Sequence, residues 1–396
     1  MRGKTLARRG APGSWTIRHG LFARFPRLVY HRMSLIAACR ALFACWVALA
    51  LPAYAFDLQG HRGARGLMPE NSLAAFQHAL ELGVTTLELD IAITADGVPV
   101  ISHDPALNPA LTRDAQGRWL THVPPPCGLR CEPLGSGPAG LTGTPPPCGL
   151  RCEPLGSGPA GLMRQGPLIK SLTLAQLQDY DIGRTDPQSA YGRQFPQQQA
   201  RDGQRIPTLA ALFKLVNELG ATEVRFDIET KVFPTRPGDT LGPEAFVNTL
   251  LRVIRAAGMS QRVMVQSFDW RTLQYLQKLE PGMETVYLTS QSRSLDNVRD
   301  SAWTGGMLWR DYASVAHMVK ASGGSTWSPN FNNIDAAAVK AAQQLGLKVI
   351  PWTVNEAADM DRLIAWGVDG IISDYPDRLR EAMRRAGLPL PRGLKN

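Results

Sequence analysis

The sequence TTLELDIAI, residues 85–93, decides the fold because charged and apolar side chains alternate along it. Side chains two residues apart in a strand point to the same face, so Glu88 and Asp90 project together. The leucine and isoleucine residues beside them point to the opposite face, where helices can cover them. The pattern therefore predicts a strand whose inner face carries two carboxylates.

Similar extended apolar segments alternate with helical patterns along the chain, as expected of a parallel α/β fold. Eight strands with connecting helices favour a closed TIM (β/α)8 barrel over an open doubly wound sheet, and no G-x-G-x-x-G motif follows a strand. The predicted strands span residues 57–61, 85–93, 223–229, 262–267, 284–288, 325–328, 347–353 and 370–373. The predicted helices include residues 72–82, 243–257, 270–279, 335–345 and 356–366, and another begins near Thr208.

A hairpin and a long insertion interrupt this alternation. The sequence TADG at 94–97 is a hairpin signal that joins the second strand to residues 98–103, which would place the hairpin on the barrel rim. Residues 105–207 then lack a matching strand and helix, so we interpret them as an insertion of about a hundred residues within a barrel domain that spans 56–396. Inside the insertion, residues 171–180 have a helical pattern.

A tandem duplication lies within this insertion, where residues 121–141 and 142–162 are two copies of a 21-residue unit. Each copy carries one C-x3-C pair, Cys127 with Cys131 and Cys148 with Cys152. Four-thiolate zinc sites usually have tighter spacing, and an exported protein favours disulfides. The many Gly and Pro residues favour a surface loop over a functional metal site.

The net charge of +9 comes entirely from the first 55 residues, which hold nine basic residues and no acidic one. Residues 56–396 are formally neutral, with 34 charges of each sign. A basic surface that could bind nucleic acid is therefore not expected.

Residues 33–55 have the three parts of a signal peptide: a basic segment at 33–40, an apolar run of 11 residues at 41–51, and the small-residue cleavage site PAYA at 52–55. The apolar run is shorter than the roughly 20 residues of a membrane-spanning helix. We expect residues 1–55 to be a leader that is cleaved near Ala55, which gives a periplasmic or secreted protein without a stable membrane anchor. No feature of the sequence specifies an oligomeric state.

A second strand repeats the alternation of the first. In RFDIETK, residues 225–231, Asp227, Glu229 and Lys231 share one face. Buried charges are costly unless they are paired or bind a metal, and oxygen ligands suit Mg²⁺ or Ca²⁺. The residues alone leave two interpretations open: a cation site, or a buried salt-bridge network of Asp227, Glu229 and Lys231 with Arg62.

Two histidines are predicted to reach the carboxyl ends of the strands, where barrel active sites lie. His61 ends the first strand and His103 ends the rim hairpin, so they could act as general base and general acid. The Arg62 guanidinium can bind a phosphate with two parallel hydrogen bonds, and the Lys231 ammonium can bind it as a point charge. This combination indicates phosphoryl chemistry.

Residues 60–105, from GHRGARG to VISHDP, closely resemble the signature of the glycerophosphodiester phosphodiesterase family. Further similar segments follow in the order that the family has: DIETK at 227–231, QSFDW at 266–270, PWTVNE at 351–356 and GVDGIISDYP at 367–376. The insertion and the leader are similar to the bacterial periplasmic branch of that family.

The resemblance implies a TIM barrel that hydrolyses glycerophosphodiesters, such as glycerophosphocholine or glycerophosphoethanolamine, to glycerol 3-phosphate and an alcohol. It implies one divalent cation, Ca²⁺ or Mg²⁺, and assigns roles to eight residues. The cation ligands would be Glu88, Asp90 and Glu229, the catalytic pair His61 and His103, and the substrate-binding residues Arg62, Lys231 and Trp352.

The resemblance leaves several roles open. Glu70 and Asn71 would brace the loop after the first strand, whereas Gln266 and Asp374 could contact substrate or form hydrogen bonds at the barrel top. The nucleophile could be the glycerol 2-hydroxyl, which gives a cyclic phosphate, or water. A phospholipase D-like lyase on the same barrel and a binding protein that has kept the barrel are the alternative functions.

Overall fold

The computed structural model describes residues 56–120 and 166–394, with two short strands between them, Cys131–Pro133 and Leu150–Cys152. These strands pair antiparallel with Cys131 opposite Cys152, so each copy of the duplication contributes one strand. The predicted leader and the remainder of the duplication lie outside the described residues. None of the helices in the described part is long and apolar enough to cross a membrane.

In the described part of the chain, eight parallel strands form one sheet in which the strand order follows the chain and the last strand lies beside the first. This topology confirms the predicted TIM barrel. The strands are β1 (Asp57–Gly60), β2 (Thr86–Ile93), the antiparallel rim strand β3 (Pro99–Ile101), β4 (Arg225–Thr230), β5 (Val263–Ser267), β6 (Glu284–Thr289), β7 (Thr326–Pro329), β8 (Lys348–Val349) and β9 (Gly370–Ser373).

The barrel closes through a strand that is shorter than predicted. The segment 347–353 forms a regular ladder only at β8, because Pro351 has no N–H to donate. Hydrogen bonds continue on both sides of it: Ile350 N donates to Trp327 O at 3.0 Å, and Ile372 N donates to Pro351 O at 3.0 Å. The irregular part of the segment thus still joins β7 to β9.

Helices cover the outside of the sheet and bury their apolar faces against it, except for the short helix at Leu174–Leu177, which packs within the insertion. They are α1 (Leu73–Leu82), α2 (Leu174–Leu177), α3 (Leu209–Glu218), α4 (Pro243–Ala256), α5 (Trp270–Leu279), α6 (Val315–Ala321), α7 (Ala336–Gln344), α8 (Ala357–Ala365) and α9 (Pro376–Arg385). The sequence did not predict α6, which is only seven residues long, or α9, whose many charged residues dilute its apolar pattern.

The alternation that predicted β2 is realised in the packing. Leu87, Leu89 and Ile91 are fully buried in the core between sheet and helices. Glu88 and Asp90 point to the other face and are 2% and 1% exposed. The strand therefore carries two buried carboxylates into the barrel, where they need positive partners.

The described parts of the predicted insertion, 105–120 and 166–207, pack together beside the rim hairpin. Leu107, Ile169, Leu177 and Ile206 form a small apolar core with Ala92 and Val100 of the hairpin. The helical pattern at 171–180 yields only a 3-10 turn, Ile169–Ser171, and the four-residue helix α2. The described parts of the insertion thus form a compact addition next to the mouth of the barrel.

The loop between β1 and α1 has a strained backbone. Arg62 and Asn71 have positive φ angles of 50° and 55°, and Asn71 N donates to Arg62 O at 3.0 Å. Gly63 has a φ of 86° and packs so closely against α1 that a Cβ would lie 2.7 Å from the carbonyl carbon of Ala75. Strain of this kind persists only where surrounding contacts hold it, and it is common at active sites.

Replacing Gly63 with alanine is expected to lower the free energy of unfolding by about 3 kcal/mol, because the new methyl group adds a clash to the cost of a positive φ. Gly97, at the tip of the rim hairpin, is a matched control with a φ of 74° and open space around the position of a Cβ. Its replacement by alanine should cost about 1 kcal/mol. Urea unfolding checks both values, and equal losses would contradict the assigned clash.

Candidate active site

Three carboxylates from neighbouring strands meet inside the mouth of the barrel. Glu88 and Asp90 lie on β2, and β4 pairs with it in a register that sets Asp90 opposite Glu229. One carboxylate oxygen from each residue lies within 4.8 Å of those of the other two, and all three residues are buried. The period-two alternation of both strands thus produces a compact set of oxygen ligands.

Two positively charged side chains lie against these carboxylates. Lys231 Nζ is 2.8 Å from Glu229 Oε1 and 3.6 Å from Asp90 Oδ1, and Arg62 Nε is 3.3 Å from Asp90 Oδ2. The Arg62 backbone N–H also donates to Glu88 Oε2 at 2.8 Å. A buried ion-pair network therefore exists, as the alternative interpretation of the sequence predicted for Arg62, Glu229 and Lys231.

Asp227 does not belong to this network, which corrects its place in the predicted salt-bridge set. Burial and the nearby carboxylates of Asp57 and Glu284 raise the pKa of Asp227 well above its ordinary value. In the described part of the chain, the ion pairs of Arg62 and Lys231 reach Glu70, Asp90 and Glu229 instead. Asp227 and Glu229 are two residues apart on β4, which is why the sequence pattern grouped them, but in the strand register Asp227 lies opposite Glu88 and Glu229 lies opposite Asp90.

The cluster holds more negative charge than its two cations balance. Burial, followed by the charge of Asp90, raises the pKa of Glu88 well above its ordinary value, and burial raises the pKa of Glu229 to about 7. Within the described residues, the buried Asp90 Oδ1 accepts no hydrogen bond. Carboxylates that repel one another and an oxygen without a donor fit a hard divalent cation.

His61 is held in one orientation by a carboxylate from the far end of the chain. His61 Nδ1 lies 2.6 Å from Asp374 Oδ1, and Arg65 grips the same carboxylate through Nε at 2.8 Å and Nη2 at 2.9 Å. Asn355 Nδ2 donates to Asp374 Oδ2 at 2.7 Å. Because Nδ1 is engaged, Nε2 faces the carboxylate cluster, 3.9 Å from Glu88 Oε2.

His103 is oriented in the same way by its own neighbour in sequence. Its Nδ1 lies 2.9 Å from Asp104 Oδ1, and Asn108 Nδ2 donates to Asp104 Oδ2 at 2.8 Å. Burial, followed by the charges of Arg62 and Lys231, lowers the pKa of His103. Burial and the charge of Arg65 lower that of His61 to about 4. Both rings are thus neutral near pH 7, with Nε2 available for proton transfer.

The structure brings together seven of the eight predicted site residues. Burial would raise the pKa of Asp90, but the charges of Arg62 and His103 outweigh it and hold this pKa below its ordinary range, so the His103 ring lies near enough to act on the cluster. Trp352 is half-buried at the same ends of the strands, where its Nε1 donates to Ser328 O at 2.9 Å. Its ring packs edge-on against Phe268, 5.2 Å between centroids, and forms an apolar wall.

Some functional contacts were not predicted from the sequence. The sequence did not decide whether Asp374 and Gln266 contact the substrate or form hydrogen bonds at the barrel top. In the structure both form hydrogen bonds to site residues: Asp374 to His61, and Gln266 Nε2 to Glu88 Oε1 at 2.7 Å. Arg65 was missed because its partner Asp374 lies 309 positions away, and Asn355 was missed because no local period relates it to Asp374, 19 positions further on. The pair His103-Asp104 carried a local signal, a carboxylate directly after a histidine.

Proton transfer on an anionic ester is the chemistry for which this mouth is equipped, and the chain is a hydrolase built on a TIM barrel. Residues 61–378 match the model of the glycerophosphoryl diester phosphodiesterase family, and the chain belongs to that family. The predicted family and enzyme class, a glycerophosphodiester phosphodiesterase, are confirmed by this match. The bacterial periplasmic branch stays a prediction.

Curated relatives cover the same region. A glycerophosphodiester phosphodiesterase from Caldanaerobacter subterraneus subsp. tengcongensis is 26% identical over 328 residues, which are 83% of this chain and 97% of that one. A glycerophosphodiester phosphodiesterase from Bacillus subtilis is 24% identical over 321 residues, 80% of this chain and 83% of that one.

Solved structures share the fold. A protein from Silicibacter pomeroyi DSS-3, provisionally assigned as a glycerophosphoryl diester phosphodiesterase, is 31% identical with a TM-score of 0.66, covering 85% of this chain and 95% of that one. The Oleispira antarctica phosphodiesterase OLEI02445, solved with its product sn-glycerol-3-phosphate, is 20% identical with a TM-score of 0.53, covering 84% and 98%. The second likeness concerns the fold alone.

Proposed function

We propose that the protein hydrolyses glycerophosphodiesters, such as glycerophosphocholine or glycerophosphoethanolamine, to glycerol 3-phosphate and an alcohol, with one divalent cation, Ca²⁺ or Mg²⁺. The observation that carries the proposal is the convergence of three buried carboxylates, Glu88, Asp90 and Glu229, beside two histidines held at Nδ1. The product bound in the Oleispira antarctica enzyme, sn-glycerol-3-phosphate, is consistent with this substrate class.

Glu88, Asp90 and Glu229 would hold the cation, which supplies positive charge that stabilises the phosphate in the transition state. Arg62 and Lys231 would bind the other phosphate oxygens. The side chains of Arg62 and Lys231 are buried and already fixed by carboxylates, so little reorganisation is needed when the substrate binds. Trp352 would pack against the apolar part of the substrate.

His61 and His103 would share the proton transfers. In each ring, Nδ1–H donates a hydrogen bond to a carboxylate, that of Asp374 for His61 and that of Asp104 for His103. The Nε2 of one ring can therefore accept the proton of the nucleophile. The other ring would take up a proton from solvent at its Nε2 and give it to the leaving alcohol oxygen, and the first ring would afterwards release its proton to solvent. The carboxylate beside each ring would stabilise the imidazolium that forms there, as an aspartate does for the histidine that it orients in a catalytic triad.

Two routes fit these roles. The glycerol 2-hydroxyl can attack the phosphorus, which expels the alcohol and leaves a cyclic phosphate that water then opens, or water can attack directly. A single-turnover reaction followed by phosphorus NMR distinguishes them. A transient cyclic glycerophosphate supports the first route, and incorporation of one oxygen-18 from solvent without that species supports the second.

We further propose that the protein acts after export, as a periplasmic or secreted enzyme of the bacterial periplasmic branch. The leader pattern at residues 33–55 supports this location. Separation of cell fractions followed by N-terminal sequencing tests it, with a mature N-terminus at Phe56 expected.

The direct test of function is to incubate the purified protein with glycerophosphocholine and Ca²⁺ and to measure both products. Stoichiometric release of glycerol 3-phosphate and choline is expected. Release of a cyclic phosphate as the final product would instead indicate the lyase, and the absence of turnover with Ca²⁺, Mg²⁺ or Mn²⁺ would favour a binding protein.

The acidic limb of kcat/KM is expected below pH 6.5. Burial lowers the pKa of both histidines, that of His61 to about 4, and a bound cation would lower both further. The histidine that acts as base must be neutral, so activity is lost only as the pH falls through its lowered pKa. Rates at saturating Ca²⁺ between about pH 4 and 9 check this, and a limb centred at or above 6.5 would contradict it.

A further inference from the structure

Tyr191 of the predicted insertion places its hydroxyl between two charged residues of the loop after β1. The hydroxyl donates a hydrogen bond to Glu70 Oε2. It also lies 3.3 Å from Arg65 Nη1, which donates to it. One hydroxyl therefore links a carboxylate and a guanidinium that belong to two separate parts of the site.

Each of these charged residues acts directly on a predicted site residue. Glu70 Oε1 accepts from Arg62 Nη1 at 2.6 Å, and Arg62 is the proposed phosphate ligand. Arg65 grips Asp374, the carboxylate that orients His61. Within the described residues no acceptor bonds to Arg62 Nη2, so the edge of the guanidinium that Glu70 leaves open can meet a phosphate.

Neighbouring residues of the insertion hold the same loop. The guanidinium carbon of Arg65 lies 4.8 Å from the centre of the Phe195 ring, and Phe195 packs edge-on against Tyr191 at 5.4 Å. Gln198 Nε2 donates to Arg65 O at 2.9 Å, and Gln199 N donates to Leu67 O at 2.8 Å. These contacts bring residues more than 120 positions away in the chain against the mouth of the barrel.

Arg62 needs such support because its backbone has a positive φ of 50°, which is unfavourable for a residue with a side chain. Its side chain is fixed by Glu70 and by Asp90. Of these two carboxylates, Asp90 belongs to the cation cluster, and Glu70 is held from the other side by Tyr191. Two carboxylates thus hold the Arg62 side chain, and the insertion positions the one that lies outside the cluster, Glu70.

We infer that Tyr191 is a positioning residue that sets, through Glu70, the orientation in which Arg62 binds the substrate phosphate. The inference rests on the proposed function and adds a role for the insertion in substrate affinity. Tyr191 touches neither the carboxylate cluster nor either histidine among its described contacts. Its bond from Arg65 is the long one, 3.3 Å, and Arg65 keeps two shorter bonds to Asp374 without it, so the effect of Tyr191 should fall on binding more than on the chemical step.

The test is Tyr191→Phe, which removes only the hydroxyl. The KM for glycerophosphocholine is expected to rise about tenfold, and the dissociation constant of glycerol 3-phosphate, measured by calorimetry, to rise by a similar factor, while kcat changes less than threefold. Tyr180→Phe is the matched control: Tyr180 lies in the same insertion and its side chain packs against the insertion core rather than the site. It should leave all three constants unchanged.

A double-mutant cycle with Glu70→Gln shows whether Tyr191 acts through Glu70. Tyr191→Phe should then add less than a twofold further increase in KM, because the contact that it controls is already weakened. Unchanged KM and product affinity in Tyr191→Phe, a fall confined to kcat, or a full additional tenfold effect in the Glu70→Gln background would each overturn the inference.

Failure of the proposed function is distinguishable from failure of this inference. If the wild-type protein releases no product, the proposed function is wrong, and the affinities of wild type and Tyr191→Phe for inorganic phosphate still compare the two Arg62 geometries. A weaker affinity in the variant would uphold the positioning role. Equal affinities, or no phosphate binding by the wild type, would remove it.

Discussion

Replacing His61 with alanine is expected to lower kcat for glycerophosphocholine by at least about a hundredfold, with the fold intact. His61 Nε2 faces the carboxylate cluster, whereas Nδ1 is held by Asp374, so no other nitrogen can take its position. His103→Ala should cause a loss of similar size because His103 is oriented in the same way by Asp104. Steady-state assays together with circular dichroism check both variants.

His317→Ala is the matched control for these variants. The exposed His317 lies on α6, and its Nδ1 bonds to Ser314 Oγ on the outside of the barrel. Its replacement should leave kcat unchanged. A near-wild-type rate in His61→Ala or His103→Ala would remove that histidine from the mechanism, and a hundredfold loss in His317→Ala would show that the assay reports folding.

Asp374→Asn tests the orientation of His61 separately from its chemistry. The asparagine keeps the shape of the side chain but loses the charge that holds both His61 Nδ1 and Arg65. Loss of such an orienting carboxylate commonly costs about ten- to a hundredfold in activity, so kcat should fall less than in His61→Ala. A loss larger than that of His61→Ala would contradict an orienting role.

Asp90→Asn is expected to lower the affinity for the divalent cation by at least about a hundredfold. Asp90 stands at the centre of the cluster: it is one of three carboxylate ligands, and it pairs with both Arg62 and Lys231. Its loss leaves two buried cations with weakened partners, which should also destabilise the fold by about 3 kcal/mol. Calorimetric titration with Ca²⁺ and thermal unfolding measure the two effects.

Asp227→Asn is the matched control, because it makes the same chemical change at a buried position on the adjacent strand. Asp227 is aligned with Glu88 but is not among the three carboxylates that converge. Its replacement should leave cation affinity within about threefold of wild type, in keeping with the independence of sites that share no ligand. A hundredfold loss in Asp227→Asn, or none in Asp90→Asn, would mean that the cation binds elsewhere.

Much of the site could be predicted because strand geometry converts local sequence into shared faces. The alternation in residues 85–93 and 225–231 was enough to predict that Glu88, Asp90 and Glu229 point inward. The same patterns predicted the barrel, since strands that alternate with helices can bury their apolar faces in few other ways. The strand at 347–353 was overestimated because its apolar pattern ran past Pro351.

The contacts that orient the site could not be predicted in the same way, because they join residues that no local period relates. His61 and Asp374 are 313 positions apart, and Glu70 and Tyr191 are 121 apart. Asp227 shows the reverse error: alternation placed it correctly on the inner face, but alternation does not determine which inward carboxylates pair with Arg62 and Lys231. That choice depends on the register between strands and on the positions of Arg62 and Lys231.

The central claim is that hydrolysis depends on one divalent cation held by Glu88, Asp90 and Glu229. The most direct measurement is the initial rate of glycerol 3-phosphate release from glycerophosphocholine by protein freed of metal with a chelator, before and after titration with Ca²⁺ or Mg²⁺. We predict no release above background without metal, and full recovery that saturates at one ion per chain. An undiminished rate in the metal-free protein would contradict the claim.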